Sequence, residues 1–235
     1  MKYTFKPKSN LERFGFVVYK ALVENFPKTY FVGGTTRDYL LGKKIKDIDI
    51  ATEATPLQIA ETLKRCSIEA DLQYQNLGVV IANQGRQEAA IATLRRDLPS
   101  KSRYPKIEFV KSAKSDAQRR DFTINALYFS PKSGKILDFF QGLKDLKSKT
   151  IRFIGNPEKR IKQDPLRVIR ALRFALDLNF QLDPLTKTAI KKHFSLVKQL
   201  TVGKTQKEIL KLNNRSHRTL IKKILDNQKY LDKCF

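Results

Sequence analysis

The chain has 235 residues and a mass of 27.1 kDa, enough for one large domain or two small ones with cores of their own, so no staple is needed to hold it folded. Its two cysteines, Cys66 and Cys234, lie far apart, which argues against a disulfide framework or a cysteine zinc site and fits a reducing, cytoplasmic setting. Lys and Arg number 47 against 23 Asp and Glu, a net +24 that exceeds what solubility requires and points to a polyanionic partner, nucleic acid before a membrane surface.

The basic excess is uneven. Residues 151–235 carry 20 basic and 7 acidic side chains, against 27 and 16 in the longer stretch 1–150. The N-terminus MKYTFKPKSN lacks the apolar core of a signal peptide, and no later run approaches the roughly 18 apolar residues of a membrane span. No membrane partner is expected.

Along the chain, residues 10–26 place apolar side chains at helical intervals and predict an amphipathic helix. Tyr30 to Val32 predicts a short buried strand stopped by Gly33 and Gly34. Thr35 to Leu41 then predicts a brief helix ended by Gly42, and Asp47 to Ala51 a strand. Thr55, Pro56 and Gln58 form a capping-box start for a helix through about Arg65. Gly78 to Asn83 and Glu88 to Leu94 predict a hairpin turning around Gly85. Pro99 to Pro105 has turn and basic residues without periodicity and predicts a mobile loop.

Asp121 to Phe129 and Lys135 to Phe139 predict further extended pieces around a turn at Pro131 to Gly134. From Asn156 the pattern turns helical, with Asp164 and Pro165 opening a helix to about Leu178 and others over 184–198 and 204–229. The fold class expected is α+β: a mixed β-sheet with flanking helices over 1–150, then an all-helical domain over 151–235.

Chemistry concentrates in Gly33-Gly34-Thr35-Thr36-Arg37-Asp38 and Asp47-Ile48-Asp49. A strand ending in two glycines lets the backbone approach a phosphate, and the helix start beyond it offers free amide donors. Arg37 adds a charged fork. Asp47 and Asp49, two apart on a strand, project to one face and can share hard cations such as Mg²⁺, the arrangement phosphoryl transfer needs. An Asp-x-Asp alone reads more readily as a solvated strand edge than as a metal site. The Gly-Gly turn and Arg37 upstream distinguish the two.

The segment GGTTRDYLLGKKIKDIDIAT resembles the first motif of class II CCA-adding tRNA nucleotidyltransferases and bacterial poly(A) polymerases, in the DNA polymerase beta superfamily. Arg119-Arg120-Asp121-Phe122-Thr123-Ile124-Asn125-Ala126 resembles that family's second motif, and Asp138 to Gly142 with Asp145-Leu146 the segment leading to its hinge. Gln163-Asp164-Pro165-Leu166-Arg167 resembles its base-reading motif, usually Glu-Asp-x-x-Arg. The resemblance runs from about residue 29 to 180.

It implies a catalytic nucleotidyltransferase head (1–150) and a helical neck (151–235) that selects the nucleotide and binds RNA. Asp47 and Asp49 would hold Mg²⁺ and be catalytic; Gly33, Gly34 and Arg37 would cradle the triphosphate; Arg120, Asp121 and Asn125 would support the nucleotide; Asp164 and Arg167 would read the base. Arg170 and Arg173 continue the same three-residue spacing, toward the triphosphate or toward the fold's interior. The substrates implied are CTP and ATP, and the acceptor is the 3′ end of tRNA or another RNA. A poly(A) polymerase or a CC-only or A-only enzyme would share these motifs, and a noncatalytic RNA-binding protein could keep the fold.

Three departures stand out. Gln163 replaces the usual Glu, which helps orient the arginine, so base selection is expected to be looser. Ala90 stands where the family carries a carboxylate, and Glu88, two residues earlier on the same strand face, is the candidate substitute as a metal ligand. Gly203 and Lys204 replace an acidic residue and Arg in the late neck motif. Family members also continue past the point equivalent to Phe235 into body and tail domains. RNA grip is therefore expected from Lys191, Lys192, Lys198, Lys204, Lys207, Lys211, Arg215, Arg218, Lys222 and Lys223, or from a partner or oligomer that supplies the missing elements, unless the sequence is a fragment of a longer chain. His193 and His217 are isolated and read as surface or packing residues.

Overall fold

The computed structural model describes residues 2–98 and 106–234, so the Pro99–Pro105 loop lies outside the described residues. The chain forms two compact units, residues 1–120 with 125–140, and residues 121–124 with 141–235. It crosses between them three times, whereas the sequence reading draws one boundary near 150.

The first unit opens with α1 (Asn10–Asn25), capped by Ser9, whose side chain accepts the Glu12 amide, while the Glu12 carboxylate accepts the Lys8 amide at 2.9 Å. Then follow β1 (Thr29–Phe31), α2 (Gly33–Leu40), β2 (Ile48–Thr52), α3 (Pro56–Arg65), β3 (Glu69–Asp71), β4 (Val79–Gln84), β5 (Gln87–Thr93), β6 (Arg95–Leu98), β7 (Lys106–Phe109), α4 (Ala113–Arg119), β8 (Leu127–Ser130) and β9 (Lys135–Asp138). The capping box at Thr55 and Gln58 is present as expected. So is the β4–β5 hairpin.

Seven strands make one mixed sheet in the order β3-β4-β5-β2-β1-β8-β9. β2 runs parallel to β5 and antiparallel to β1, so the strand that follows Asp47 is central and paired on both sides. α1 and α3 pack on the sheet and on each other, burying Phe14, Val18, Leu22, Ile59 and Leu63 against Ile48, Ile50 and Ile91. Gly15 is what lets α1 come this close: a Cβ there would stand 2.8 Å from three side-chain atoms of Ile48. Removing a large apolar side chain from such a cluster typically costs about 2–5 kcal/mol.

The second unit holds α5 (Gly142–Lys147), β10 (Thr150–Ile151), α6 (Pro157–Gln163), α7 (Leu166–Leu178), β11 (Gln181–Leu182), α8 (Pro184–Lys192), α9 (Val202–Leu210), α10 (Arg215–Asp226) and α11 (Tyr230–Cys234). It is helical apart from the short parallel pair β10–β11. α7 is its central element, burying Val168, Ile169, Leu172 and Ala175. Residues 121–124 belong here because Phe122 is fully buried, stacked on Phe153 at 5.0 Å and edge-on to Phe174 at 5.5 Å. No helix among the described residues is long and apolar enough to cross a membrane.

Candidate nucleotide and metal site

In the first unit the turn from β1 into α2 is laced to β2. α2 begins at Gly33 itself, two residues before the predicted start. The Val32 amide donates to the Asp49 carbonyl at 3.0 Å, and the Gly34 amide to Asp49 Oδ2 at 3.3 Å. Thr35 Oγ1 accepts from the Asp49 amide at 2.7 Å and donates to the Asp47 carbonyl at 3.0 Å. Thr35 is thus a clasp between the turn and the acidic strand, which the sequence reading passed over. Gly33 has φ +60°, and a Cβ on it would lie 2.9 Å from Asp49 Oδ2. Both backbone conformation and space require glycine there.

Asp47 and Asp49 line one open cleft of about 490 Å³, together with Lys46, Arg86, Glu88 and Ala90. Asp47 is exposed and Asp49 half-buried. Burial raises the Asp49 carboxyl above the ordinary aspartate range, opposed by Arg120, the Gly34 amide and Arg37. Two hard oxygen donors facing one cleft, the deeper of them disfavoured as a free anion, suit a divalent cation such as Mg²⁺ that would supply counter-charge.

Glu88 is the candidate third carboxylate. It lines the cleft, but among the described residues no three Asp, Glu, His or Cys groups come close enough to hold a metal together. Across β2 and β5 the partner of Asp49 is Ala90, and Glu88 lies two residues earlier on β5.

Arg37 is buried, with Nε donating to Asp38 Oδ1 at 2.8 Å and Nη1 to Asn125 Oδ1 at 2.9 Å. That contact brings residues from two separate motifs to the same turn. Arg120 joins them, since its Nη1 would lie 3.6 Å from a Cβ on Gly33. Gly33, Gly34, Arg37, Asp47, Asp49, Arg120 and Asn125 therefore gather in the first unit.

The remaining expected site residues lie in the second unit. Asp121, expected to support the nucleotide directly, directs both carboxylate oxygens at arginines. Oδ1 accepts from Arg167 Nε at 2.8 Å and lies 3.5 Å from Arg160, and Oδ2 is 2.7 Å from Arg170. It anchors these side chains through charge-assisted bonds. Arg167 Nη1 also donates to the Arg160 carbonyl at 2.8 Å and to Gln163 Oε1 at 3.2 Å. The amide oxygen of Gln163 thus supplies an orienting acceptor at the position of the usual glutamate. Asp164 Oδ1 accepts the Leu166 amide at 3.1 Å just ahead of α7, but the cap position itself falls on Pro165, one residue later than the capping pattern predicts.

Arg173, expected at the triphosphate or in the interior, is half-buried, with Nε 2.7 Å from Glu208 Oε1 and its guanidinium 4.0 Å from the Phe174 ring centre. Of its two expected destinations, the interior is the one observed. Lys211 shares Glu208, Lys192 and His193 meet Glu158, and Lys191 meets Asp232. Part of the basic face is therefore neutralised within the unit.

Residues 29–152, more than half of the chain, match the family described as the Poly A polymerase head domain. The chain belongs to that family. A CCA-adding enzyme of Levilactobacillus brevis is 39% identical over 191 residues, covering 79% of this chain and 46% of the relative. The crystal structure of the Bacillus stearothermophilus CCA-adding enzyme in complex with CTP is similar at a TM-score of 0.75 and 30% identity, over 86% of this chain and 48% of that one. A tRNA nucleotidyltransferase complexed with a primer tRNA and an incoming ATP analog is similar at a TM-score of 0.71 and 32% identity, over 92% and 60%. The chain spans about half the length of the curated relatives it matches. For a Poly A polymerase head-domain protein, the corner of Gly33, Gly34, Asp47 and Asp49 is the part where sequence motif and geometry coincide.

Proposed function

We propose that this chain carries the catalytic head and nucleotide-selecting neck of a Mg²⁺-dependent nucleotidyltransferase that adds C and A to the 3′ end of tRNA from CTP and ATP, releasing pyrophosphate. The observation that carries the reading is the Gly33–Gly34 turn hydrogen-bonded to Asp49 beside Asp47, in one open cleft. Relatives and solved neighbours named as CCA-adding enzymes support the choice of tRNA over other acceptors.

Under this proposal Asp47 and Asp49 hold Mg²⁺, which when bound neutralises triphosphate charge and acidifies the attacking hydroxyl. Gly33 and Gly34 leave room for a phosphate against the backbone, and Arg37 and Arg120 bring positive charge to the same corner. Arg167, fixed by Asp121 and Gln163, and Asp164 present donor and acceptor edges for a nucleobase. Exposed lysines and arginines of the second unit meet RNA phosphates, which makes affinity fall steeply with salt.

The test is incubation with Mg²⁺ and tRNAs ending before, within and after CCA, supplying CTP or ATP singly and together. Addition that stops after CCA is the expected result, and the Asp47→Ala, Asp49→Ala double variant is expected to lose at least about 10³-fold in rate. Long A tracts would convert the reading to poly(A) synthesis. Absence of incorporation with every nucleotide and acceptor would overturn the enzyme reading.

A further inference from the structure

Arg120 has neighbours that no motif singled out. Asp116, on α4, is 1% exposed and acts as a double acceptor. Its Oδ1 takes Arg119 through Nε at 2.9 Å and the Arg95 amide at 3.2 Å. Its Oδ2 takes Arg120 Nε and Nη2, each at 3.3 Å, and the hydroxyl of Tyr128. That hydroxyl in turn accepts Arg120 Nε at 2.9 Å. Tyr128 is fully buried on β8, so its oxygen is fixed by the sheet and cannot follow the arginine if the arginine moves.

The effect is asymmetric. Nε and Nη2, one edge of the guanidinium, are occupied by Asp116 and Tyr128, while the opposite nitrogen, Nη1, faces the Gly33 corner and reaches the Asn125 carbonyl at 3.4 Å. An arginine side chain has many rotamers to lose, and a flexible one would forfeit part of any phosphate contact to ordering. Burial by itself would raise the Asp116 carboxyl, yet the adjoining Arg120 and Arg119 guanidiniums and the Tyr128 hydroxyl hold it below the usual aspartate value. The acceptor therefore remains an anion at neutral pH.

We propose that Asp116 and Tyr128 are positioning residues that clamp one edge of Arg120 so that the other is presented, preordered, to the nucleotide triphosphate at the Gly33–Asp49 corner. The inference rests on the reading that a triphosphate occupies that corner. It adds residues from α4 and β8 that touch neither metal nor nucleotide and act only through Arg120.

The test is a double-mutant cycle read by equilibrium binding of CTP and of CMP to the full chain. Tyr128→Phe, which removes one oxygen from a buried ring, is expected to weaken CTP binding about tenfold, the equivalent of ~1.4 kcal/mol, and to leave CMP binding within about twofold. Asp116→Asn, which keeps the shape and loses the charge, is expected to act in the same direction. In an Arg120→Ala background Tyr128→Phe is expected to add nothing, because the residue it positions is gone. Multiplicative losses in the double variant, equal losses for CTP and CMP, or unchanged CTP binding in both Tyr128→Phe and Asp116→Asn would each overturn the clamp. If Arg120→Ala itself binds CTP as the parent does, the reading of the corner fails and takes the clamp with it.

Discussion

Each unit gathers arginines around one aspartate, and the two gatherings differ in what they leave over. In the first unit Asp116 takes one edge of Arg120 and the side chain of Arg119, with Tyr128 as a neutral third partner. In the second, Asp121 alone meets Arg160, Arg167 and Arg170, and the neutral Gln163 stands beside them. The first arrangement fixes a direction; the second accumulates charge, three cations on one carboxylate. The lesson is that an arginine's function is decided by which of its five N–H groups the protein has already used. Arg173 is committed to Glu208, whereas one edge of Arg120 is held by Asp116 and Tyr128.

The comparison breaks most sharply if the carboxylates are neutralised. Asp121→Asn removes the counter-charge of three arginines, two of them well buried, and is expected to cost about 3 kcal/mol in urea denaturation. The lower end of that range applies because Arg170 is 38% exposed and screened by solvent. A cost under about 1 kcal/mol would mean that the second cluster is held by something other than Asp121.

Asp116→Asn is expected to cost less, about 2 kcal/mol at neutral pH, because Arg120 also has Asp49 within electrostatic reach. Its signature is the acid limb. The Asp116 carboxyl is depressed in the folded state, so its contribution is present above the unfolded value of roughly 3.9 and is lost as pH falls through the lower folded value. Stability measured from pH 6 down to 2 should therefore fall less steeply in Asp116→Asn than in the parent. Parallel curves would assign the acid sensitivity elsewhere.

Local signals made much of this fold legible. The apolar periodicity of α1, the capping box at Thr55, the alternation of β4 and β5, and the helix start at Pro165 are short-range chemistry, and their elements lie where expected. What was missed is long-range or nonperiodic. α4 is only seven residues, too short for a helical stripe to register. β6 and β7 flank a stretch without periodicity, and their pairing is a tertiary fact. At the site, Gly33, Asp47 and Asp49 were readable because two glycines and an alternating acidic pair have few other uses. Thr35, Asp116 and Tyr128 were not: Thr35 becomes a clasp through partners 12 and 14 residues away, and Asp116 closes on Arg120 together with Tyr128, 12 residues on, only once α4 and β8 are packed. Ala90 was readable as a departure, but its pairing with Asp49 needed the β2–β5 register.

The smallest expected effect sharpens the comparison at its neutral member. Gln163→Glu would place a second carboxylate beside Arg160 and Arg167, halving the charge excess of the Asp121 cluster. Gln163 is exposed, so the added ion pair works in high dielectric and is expected to stabilise by only about 0.5 kcal/mol, a gain that disappears at 1 M salt. Orientation should change still less, because the amide oxygen already accepts Arg167 Nη1 at 3.2 Å, the bond a carboxylate would make. The ratio of correct CTP to incorrect UTP incorporation is therefore expected to shift by less than about threefold, under 0.7 kcal/mol. A tenfold sharpening would show that base reading depends on the charge of the orienting acceptor as well as its position, and that Gln163 makes this chain a looser reader than its geometry suggests.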